Sequence, residues 1–119
     1  MQLRYFILDE FDSPDQPGSG EEMKAATLRK LDNARHIAGV PFQINSGYRT
    51  TAHNKRVGGT ENSSHLRGYA VDIRATSSNR RFLIVQACIE AGFTRIGVAN
   101  SFIHVDDDPA KAQNVIWTY

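Results

Sequence analysis

The sequence contains little cysteine, little histidine and no long apolar run, and each shortage excludes a class of protein. The single cysteine, Cys88, rules out an intrachain disulfide and a cysteine-rich metal site. No stretch approaches the roughly 20 apolar residues that a membrane-spanning helix needs, and the apolar run within residues 1–10 is too short for a signal peptide. A metal site would have to draw on Asp, Glu and four histidines, which are His36, His53, His65 and His104.

Charge of one sign is not in excess either. Lys and Arg number 14 and Asp and Glu number 13, which gives a net charge of +1. Charge therefore gives no reason to expect a nucleic-acid partner. Ten of the basic residues are Arg, which leaves local recognition of carboxylates or phosphates open. With 119 residues, of which 40% are hydrophobic, we expect one globular domain over residues 1–119, acting as a monomer without a membrane span.

Apolar spacing and capping residues predict three helices, over residues 20–38, 50–56 and 79–91. Ser19 and Glu22 have the spacing of a capping box at the start of the first helix. In the third helix, the apolar positions Phe82, Val85 and Ile89 follow helical spacing, so we expect them to point inward.

Short strands are predicted where apolar and β-prone residues alternate, over residues 42–45, 69–73, 94–98, 102–106 and 115–119. The helices fall early and in the middle of the chain, whereas the strands cluster late and are joined by short links. This order is typical of the α+β class, with a small, mostly antiparallel sheet packed against helices.

His65 and Asp72 lie in the most informative segment of the chain, residues 62–73. A helix would bring two residues seven positions apart onto one face. Gly68 and the β-prone residues 69–73 instead favour a loop followed by a strand. His65 would then lie at the end of the loop and Asp72 on the strand. Because glycine tolerates a sharp bend, Gly68 would let the two side chains converge.

A second polar group lies in the strand predicted over residues 102–106. Side chains alternate along a strand, so Phe102, His104 and Asp106 share one face. Ile103 and Val105 lie between them and face the opposite way, toward the core. One apolar face and one face with a histidine and a carboxylate suit the wall of a metal cleft.

Together, His65, Asp72 and His104 form a set of two histidines and one carboxylate. Three protein ligands leave one tetrahedral position for water, as in catalytic zinc sites. Zinc would lower the pKa of that water toward about 7 and would polarise a carbonyl. By ligand type alone the set also suits a non-haem iron centre, so an iron oxygenase is an alternative.

The chain carries four motifs in a fixed order: Ser-Gly-Tyr-Arg (46–49), Val-Gly-Gly (57–59), Ser-His-Leu-Arg-Gly-Tyr-Ala-Val-Asp (64–72) and His-Val-Asp (104–106). In these motifs it resembles the D-alanyl-D-alanine carboxypeptidase-like zinc peptidases. That superfamily includes phage L-alanyl-D-glutamate endolysin peptidases and shares its fold with the hedgehog signalling domain. The chain is most similar to the short single-domain branch found in phages and bacteria, which Trp117 and Tyr119 also fit.

The resemblance implies roles for individual residues. His65, Asp72 and His104 match the zinc ligands of the family, and Arg49 matches its substrate-binding arginine. A guanidinium fork can hold a substrate carboxylate or carbonyl and can stabilise a developing oxyanion. Ser46 would contact the substrate or satisfy the backbone of the turn. The remaining candidate, Ser64, would bind the substrate or orient its loop.

The chain departs from many relatives at Ser101. Those relatives carry Glu or Asp three residues before the second histidine, as the general base, and serine cannot accept a proton at neutral pH. Asp106 would either replace the missing base or hold His104 in its metal-binding tautomer. Glu61 in the preceding loop is a further alternative for the base, and His53 is a further candidate for lining the cleft.

The resemblance implies a zinc peptidase that cleaves peptidoglycan stem peptides, either as a D-Ala-D-Ala carboxypeptidase or as an L-Ala-D-Glu endopeptidase. We expect it to be made in the cytoplasm and to reach the cell wall after release of the phage type. The alternative from a different class is a zinc-stabilised cell-wall-binding module without catalysis, which the departure at Ser101 keeps open.

Overall fold

Three helices and five strands form the chain, and the computed structural model describes all 119 residues. The helices are α1 (Ala25–Ala38), α2 (Thr51–Arg56) and α3 (Ser78–Ala91). The strands are β1 (Ile44–Ser46), β2 (Ala70–Arg74), β3 (Arg95–Val98), β4 (Phe102–Asp106) and β5 (Val115–Thr118). Short 3₁₀ turns occupy Leu8–Phe11, Ser19–Glu22 and Ser64–Arg67. None of the helices combines the length and the apolar character that crossing a bilayer requires.

The strands form one sheet in the order β1-β2-β4-β3-β5. All neighbouring pairs are antiparallel except β3 and β5, which run parallel at one edge. The prediction of an α+β fold with a mostly antiparallel sheet is therefore confirmed.

One row of residues crosses all five strands. Successive partners in the register are Ser46, Asp72, His104, Gly97 and Trp117. Residues directly opposite each other on paired strands lie on the same face of a sheet. The sheet therefore places a serine, a carboxylate, an imidazole, a glycine and an indole side by side, and we call these five residues the cross-strand row.

The opposite face of the sheet carries the hydrophobic core. Val71 and Ile73 of β2 and Ile103 and Val105 of β4 are fully buried there. The two long helices complete the core with Leu28, Leu31 and Ala34 of α1 and Ile84, Ala87 and Cys88 of α3. The sheet thus separates an apolar side, which stabilises the fold, from a polar side.

The first helix begins later than the sequence predicted. α1 starts at Ala25, and Ser19–Glu22 form a separate 3₁₀ turn. The capping box predicted from Ser19 and Glu22 does not form, because the hydroxyl oxygen of Ser19 accepts a hydrogen bond from the backbone N–H of Ser13 at 2.8 Å. A contact with the preceding loop therefore takes the side chain that would have capped the helix.

The prediction that Phe82, Val85 and Ile89 point inward is wrong for Phe82 and Ile89, whereas Val85 is partly buried against the core. Phe82 is 62% exposed and Ile89 is 55% exposed. The buried face of α3 carries Ile84, together with the smaller side chains of Ala87 and Cys88. α3 thus has two apolar stripes, which helical spacing alone could not distinguish. The stripe with small residues is the buried one, because small side chains let α3 pack closely against α1.

Replacing Ile84 with Ala should lower the free energy of unfolding by about 2–5 kcal/mol, because the deletion leaves a cavity in a close-packed core. Ile89→Ala removes the same atoms from the exposed stripe of the same helix, so we expect a change of about 0.5 kcal/mol or less. Urea unfolding followed by circular dichroism measures both. Equal losses for the two variants would contradict the orientation of α3.

Candidate metal centre

A sharp bend brings His65 back toward Asp72. His65 lies in the 3₁₀ turn Ser64–Arg67, which ends at Gly68 with a φ of 78°. A Cβ at Gly68 would also lie 2.4 Å from the carbonyl oxygen of Glu22, so both the backbone conformation and the close approach require glycine here. β2 begins two residues later and presents Asp72 on the polar face.

The three candidate metal ligands lie close together in the structure: His65, Asp72 and His104. Each offers one ligand atom, and these atoms all lie within 4.8 Å of one another. Nε2 of His65 lies 3.3 Å and Nδ1 of His104 lies 2.9 Å from the same oxygen, Oδ1 of Asp72. Zinc bonds of roughly 2.0–2.2 Å separate neighbouring ligands of a tetrahedral site by about 3.3 Å, so the three donors suit zinc in chemistry and in spacing.

Hydrogen bonds orient both imidazole rings. Nδ1 of His65 lies 2.7 Å from the backbone carbonyl of Gly47. A carbonyl oxygen only accepts, so Nδ1 donates, and Nε2 is the nitrogen left to carry either a proton that Asp72 accepts or a metal ion. In His104 the far nitrogen is Nε2, which lies 2.7 Å from Oδ2 of Asp106. Partners of this kind fix the tautomer and the ring plane of metal-ligating histidines.

Burial and neighbouring charges shift the pKa values of the three residues. Burial lowers the pKa of His65, and Asp72 offsets only part of this effect. Burial also opposes protonation of His104, but hydrogen bonds to Asp106 and Asp72 raise its pKa. For Asp72, burial is outweighed by hydrogen bonds to both histidines, which hold the pKa of its carboxyl far below the usual range. Asp72 is therefore a carboxylate, and a metal bound at Nδ1 of His104 would compete with a proton at that nitrogen.

Arg49 lies beside the three candidate ligands, directly before α2. Its Nε donates to the hydroxyl of Ser46 at 2.9 Å, one terminal nitrogen donates to Oδ1 of Asn54 at 3.2 Å, and the other donates to Oδ2 of Asp72 at 3.2 Å. A guanidinium has five N–H groups, so two remain for a ligand. Burial lowers the pKa of Arg49, although Asp72 opposes the shift.

A cleft of about 280 Å³ opens next to this group. Its lining comprises Asn45, Ser46, Arg49, His53, Val57, Asp72 and Phe102. Arg49 and Ser46, for which the resemblance implies substrate contacts, line this open space. His53 lines the cleft too, and its Nδ1 is buried without a hydrogen-bond partner.

Asp106 lies behind His104, on the side away from Asp72. Its side chain is 1% exposed. Oδ2 contacts Nε2 of His104, while Oδ1 accepts from Nε of Arg95 at 2.7 Å and from the backbone N–H of Asp108 at 3.2 Å. Both oxygens are therefore engaged outside the cleft, and this position favours the tautomer-holding role over the base role.

The other polar candidates are not among the residues that line the cleft. The hydroxyl of Ser64 is buried and donates to Oδ2 of Asp108 at 2.7 Å, which favours a role in orienting its loop. Asp108 also pairs with Arg67 and accepts from the backbone of Ala110. Ser101 and Glu61 are exposed.

Sequence reasoning missed two residues of this region, Arg95 and Trp117. Arg95 pairs with Asp106, and the Trp117 ring lies 5.4 Å from the His104 ring. Alternation along residues 95–98 places Arg95 and Gly97 on one face, opposite Ile96 and Val98. This alternation predicts which face of β3 carries Arg95, but it does not predict which strands pair with β3.

Comparison with known proteins matches the chain to one family. The model of the family described as Peptidase M15 matches residues 7–106. Over 100 residues the chain is 36% identical to the zinc D-Ala-D-Ala carboxypeptidase of Streptomyces albus G. This match covers 76% of the chain but 39% of that enzyme, so the chain spans well under half the length of this relative.

Proposed function

The chain belongs to the peptidase M15 family, and we propose that it is a zinc-dependent peptidase that hydrolyses the stem peptides of peptidoglycan. The observation that carries the proposal is the convergence of two imidazole nitrogens and one carboxylate oxygen within 4.8 Å of one another. This group lies beside a cleft that also exposes a guanidinium. An ion and a positive fork next to open space suit hydrolysis of a peptide bond.

His65, Asp72 and His104 would hold the zinc. When bound, zinc would supply a water of lowered pKa and would polarise the scissile carbonyl. The carbonyl of Gly47 and the carboxylate of Asp106 keep the two rings in the orientation that this requires, because each occupies the nitrogen that points away from Asp72.

Arg49 would hold the substrate at the centre. Its two uncommitted N–H groups can form the bidentate pair with a carboxylate that guanidinium geometry favours. Ser46 and Asn54 fix the guanidinium in place, so little side-chain freedom is lost on binding. A peptide that ends in D-Ala-D-Ala carries such a carboxylate directly after the scissile bond. The similarity to the Streptomyces enzyme favours this carboxypeptidase reaction over L-Ala-D-Glu cleavage.

A second candidate is a zinc-stabilised module that binds cell-wall peptides without cutting them. The position of Asp106 supports it, since neither of its oxygens faces the cleft. Ser101, which stands where many relatives have an acid, cannot supply the missing base. The two candidates share the metal and the cleft and differ only in whether a bond is broken.

His65→Ala and His104→Ala should each remove most of the bound zinc and abolish hydrolysis, because each deletes one of three protein ligands. Elemental analysis of the purified variants measures zinc, and mass spectrometry of incubated muropeptides measures cleavage and identifies the bond. His36→Ala is the matched control, since His36 is exposed on α1 and contacts Tyr5. Stoichiometric zinc in either variant would contradict the ligand assignment.

Binding without cleavage by the zinc-loaded wild type would support the binding module, and iron in place of zinc would point to an oxygenase.

Arg49→Lys should lower kcat/KM by about 10²–10³-fold, because lysine keeps the charge but loses the planar fork that orients a carboxylate or an oxyanion. Zinc content should stay at the wild-type level, since Arg49 is not among the three candidate ligands. Arg56→Lys on the exposed side of α2 is the control. Steady-state hydrolysis of a D-Ala-D-Ala peptide tests the prediction, and wild-type kinetics for Arg49→Lys would count against a substrate role.

Asp106→Asn separates the two roles of this carboxylate. If Asp106 positions His104, the variant should bind zinc about 10–100-fold more weakly and should regain a near-normal kcat when zinc is saturating. We expect this result. A general base would instead leave kcat about 10²–10⁴-fold low at every zinc concentration. Zinc titration of both the binding and the rate distinguishes the outcomes.

A further inference from the structure

The only tryptophan of the chain lies against the candidate ligand His104. Trp117 belongs to β5, which is not adjacent to β4, because β3 lies between them. Gly97 of β3 is the register partner of both His104 and Trp117. The indole reaches across this glycine, and its ring lies 5.4 Å from the imidazole ring at an angle of 49°.

Gly97 makes this reach possible. A Cβ at this position would lie 2.6 Å from Nε1 and 2.7 Å from Cε2 of Trp117, well inside van der Waals contact. The backbone of Gly97 does not adopt a positive φ, so any residue could adopt its conformation. The close approach of the indole is therefore what requires glycine here, as expected where a side chain crosses a strand backbone.

Arg95 joins the indole to the far side of His104. Its guanidinium lies 5.1 Å from the centre of the Trp117 ring, within the range of a cation–π contact. Its Nε also donates to Oδ1 of Asp106, whose Oδ2 contacts Nε2 of His104. Four side chains thus form a closed circuit: His104, Asp106, Arg95 and Trp117.

The circuit restrains His104 in two directions. Asp106 holds its far nitrogen, and Trp117 packs against its ring at a tilt of 49°. The circuit lies on the polar face of the sheet, and Arg95 and Asp106 have side-chain exposures of 12% and 1%, so little water competes with these contacts. The hydrogen bond and the ring contact together help to keep Nδ1 directed toward Asp72 before any metal arrives.

We propose that Trp117 is a positioning residue for His104, and that Gly97 is the position that admits it. The proposal rests on the proposed function only in taking His104 as a metal ligand. Loss of the indole leaves the imidazole held only at its two nitrogens, by Asp72 and Asp106, and gives its ring more freedom to tilt. Metal binding must then restrict that motion, so affinity falls while the three ligands remain.

Competition against a chromophoric zinc chelator measures the effect. Trp117→Ala and Gly97→Ala should each weaken zinc binding by about 10–100-fold, and Trp117→Phe, which keeps an aromatic face, should recover part of the loss. Ile116→Ala is the matched control, because Ile116 is the neighbouring residue of β5, has its side chain on the opposite face and is 61% exposed. Its zinc affinity should equal that of the wild type. Circular dichroism and thermal unfolding of the metal-free variants establish that each is folded.

Trp117 also provides a direct signal. Co²⁺ bound between His65, Asp72 and His104 should quench its fluorescence, with saturation at one equivalent, and His104→Ala should lose this quenching.

Wild-type zinc affinity in folded Trp117→Ala, or fluorescence that does not respond to bound Co²⁺, would overturn the proposal while leaving the proposed function intact. If Gly97→Ala does not fold, the zinc affinities of Trp117→Ala and Trp117→Phe alone test the proposal. A wild type that binds no zinc would instead overturn the proposed function itself, and this inference with it.

Discussion

The carboxylate of Asp72 is the group on which the site depends. One of its oxygens faces a nitrogen of His65 and a nitrogen of His104, and the other accepts from Arg49. A buried carboxylate without partners would cost several kcal/mol. The neighbours of Asp72 therefore stabilise its charge and are in turn held in place by it. The same contacts bring the donor atoms of both histidines close to one oxygen of Asp72. The arrangement that stabilises a negative charge is therefore also one that can bind a cation.

The sheet keeps this polar cluster and the hydrophobic core apart while using the same strands for both. Successive residues of β4 face opposite sides, so Ile103 and Val105 are buried against helices while His104 and Asp106 belong to the site. Burial of the apolar face stabilises the strands and thereby fixes the positions of the polar side chains. The backbone that carries His104 therefore belongs to the most buried part of the fold.

Local patterns in the sequence were enough to predict the candidate ligands and much of the architecture. The bend at Gly68 and the alternation around His104 are properties of short segments, and both follow from the residues in those segments. The approach of Asp72 to His104, which are 32 positions apart, was inferred from a resemblance, because the register between β2 and β4 depends on the whole core. The same limit concealed Trp117 and Arg95, whose roles follow from β5 pairing with β3.

The errors in the prediction also have physical causes. Ser19 has a capping sequence, but the preceding loop takes its hydroxyl. α3 presents two apolar stripes, and the choice between them depends on how closely α1 approaches. In both places a tertiary contact overrides a local preference, and no neighbouring residue in the sequence signals that contact.

The cross-strand row has one member on each strand, including the two edge strands β1 and β5. Edge strands have a partner on one side only, and they are usually the first parts of a sheet to open in local fluctuations. In this protein such an opening would remove Ser46 from Arg49 at one edge, or the indole from His104 at the other. Fraying that leaves the core intact would therefore already weaken the centre, so the fully paired sheet is its functional unit.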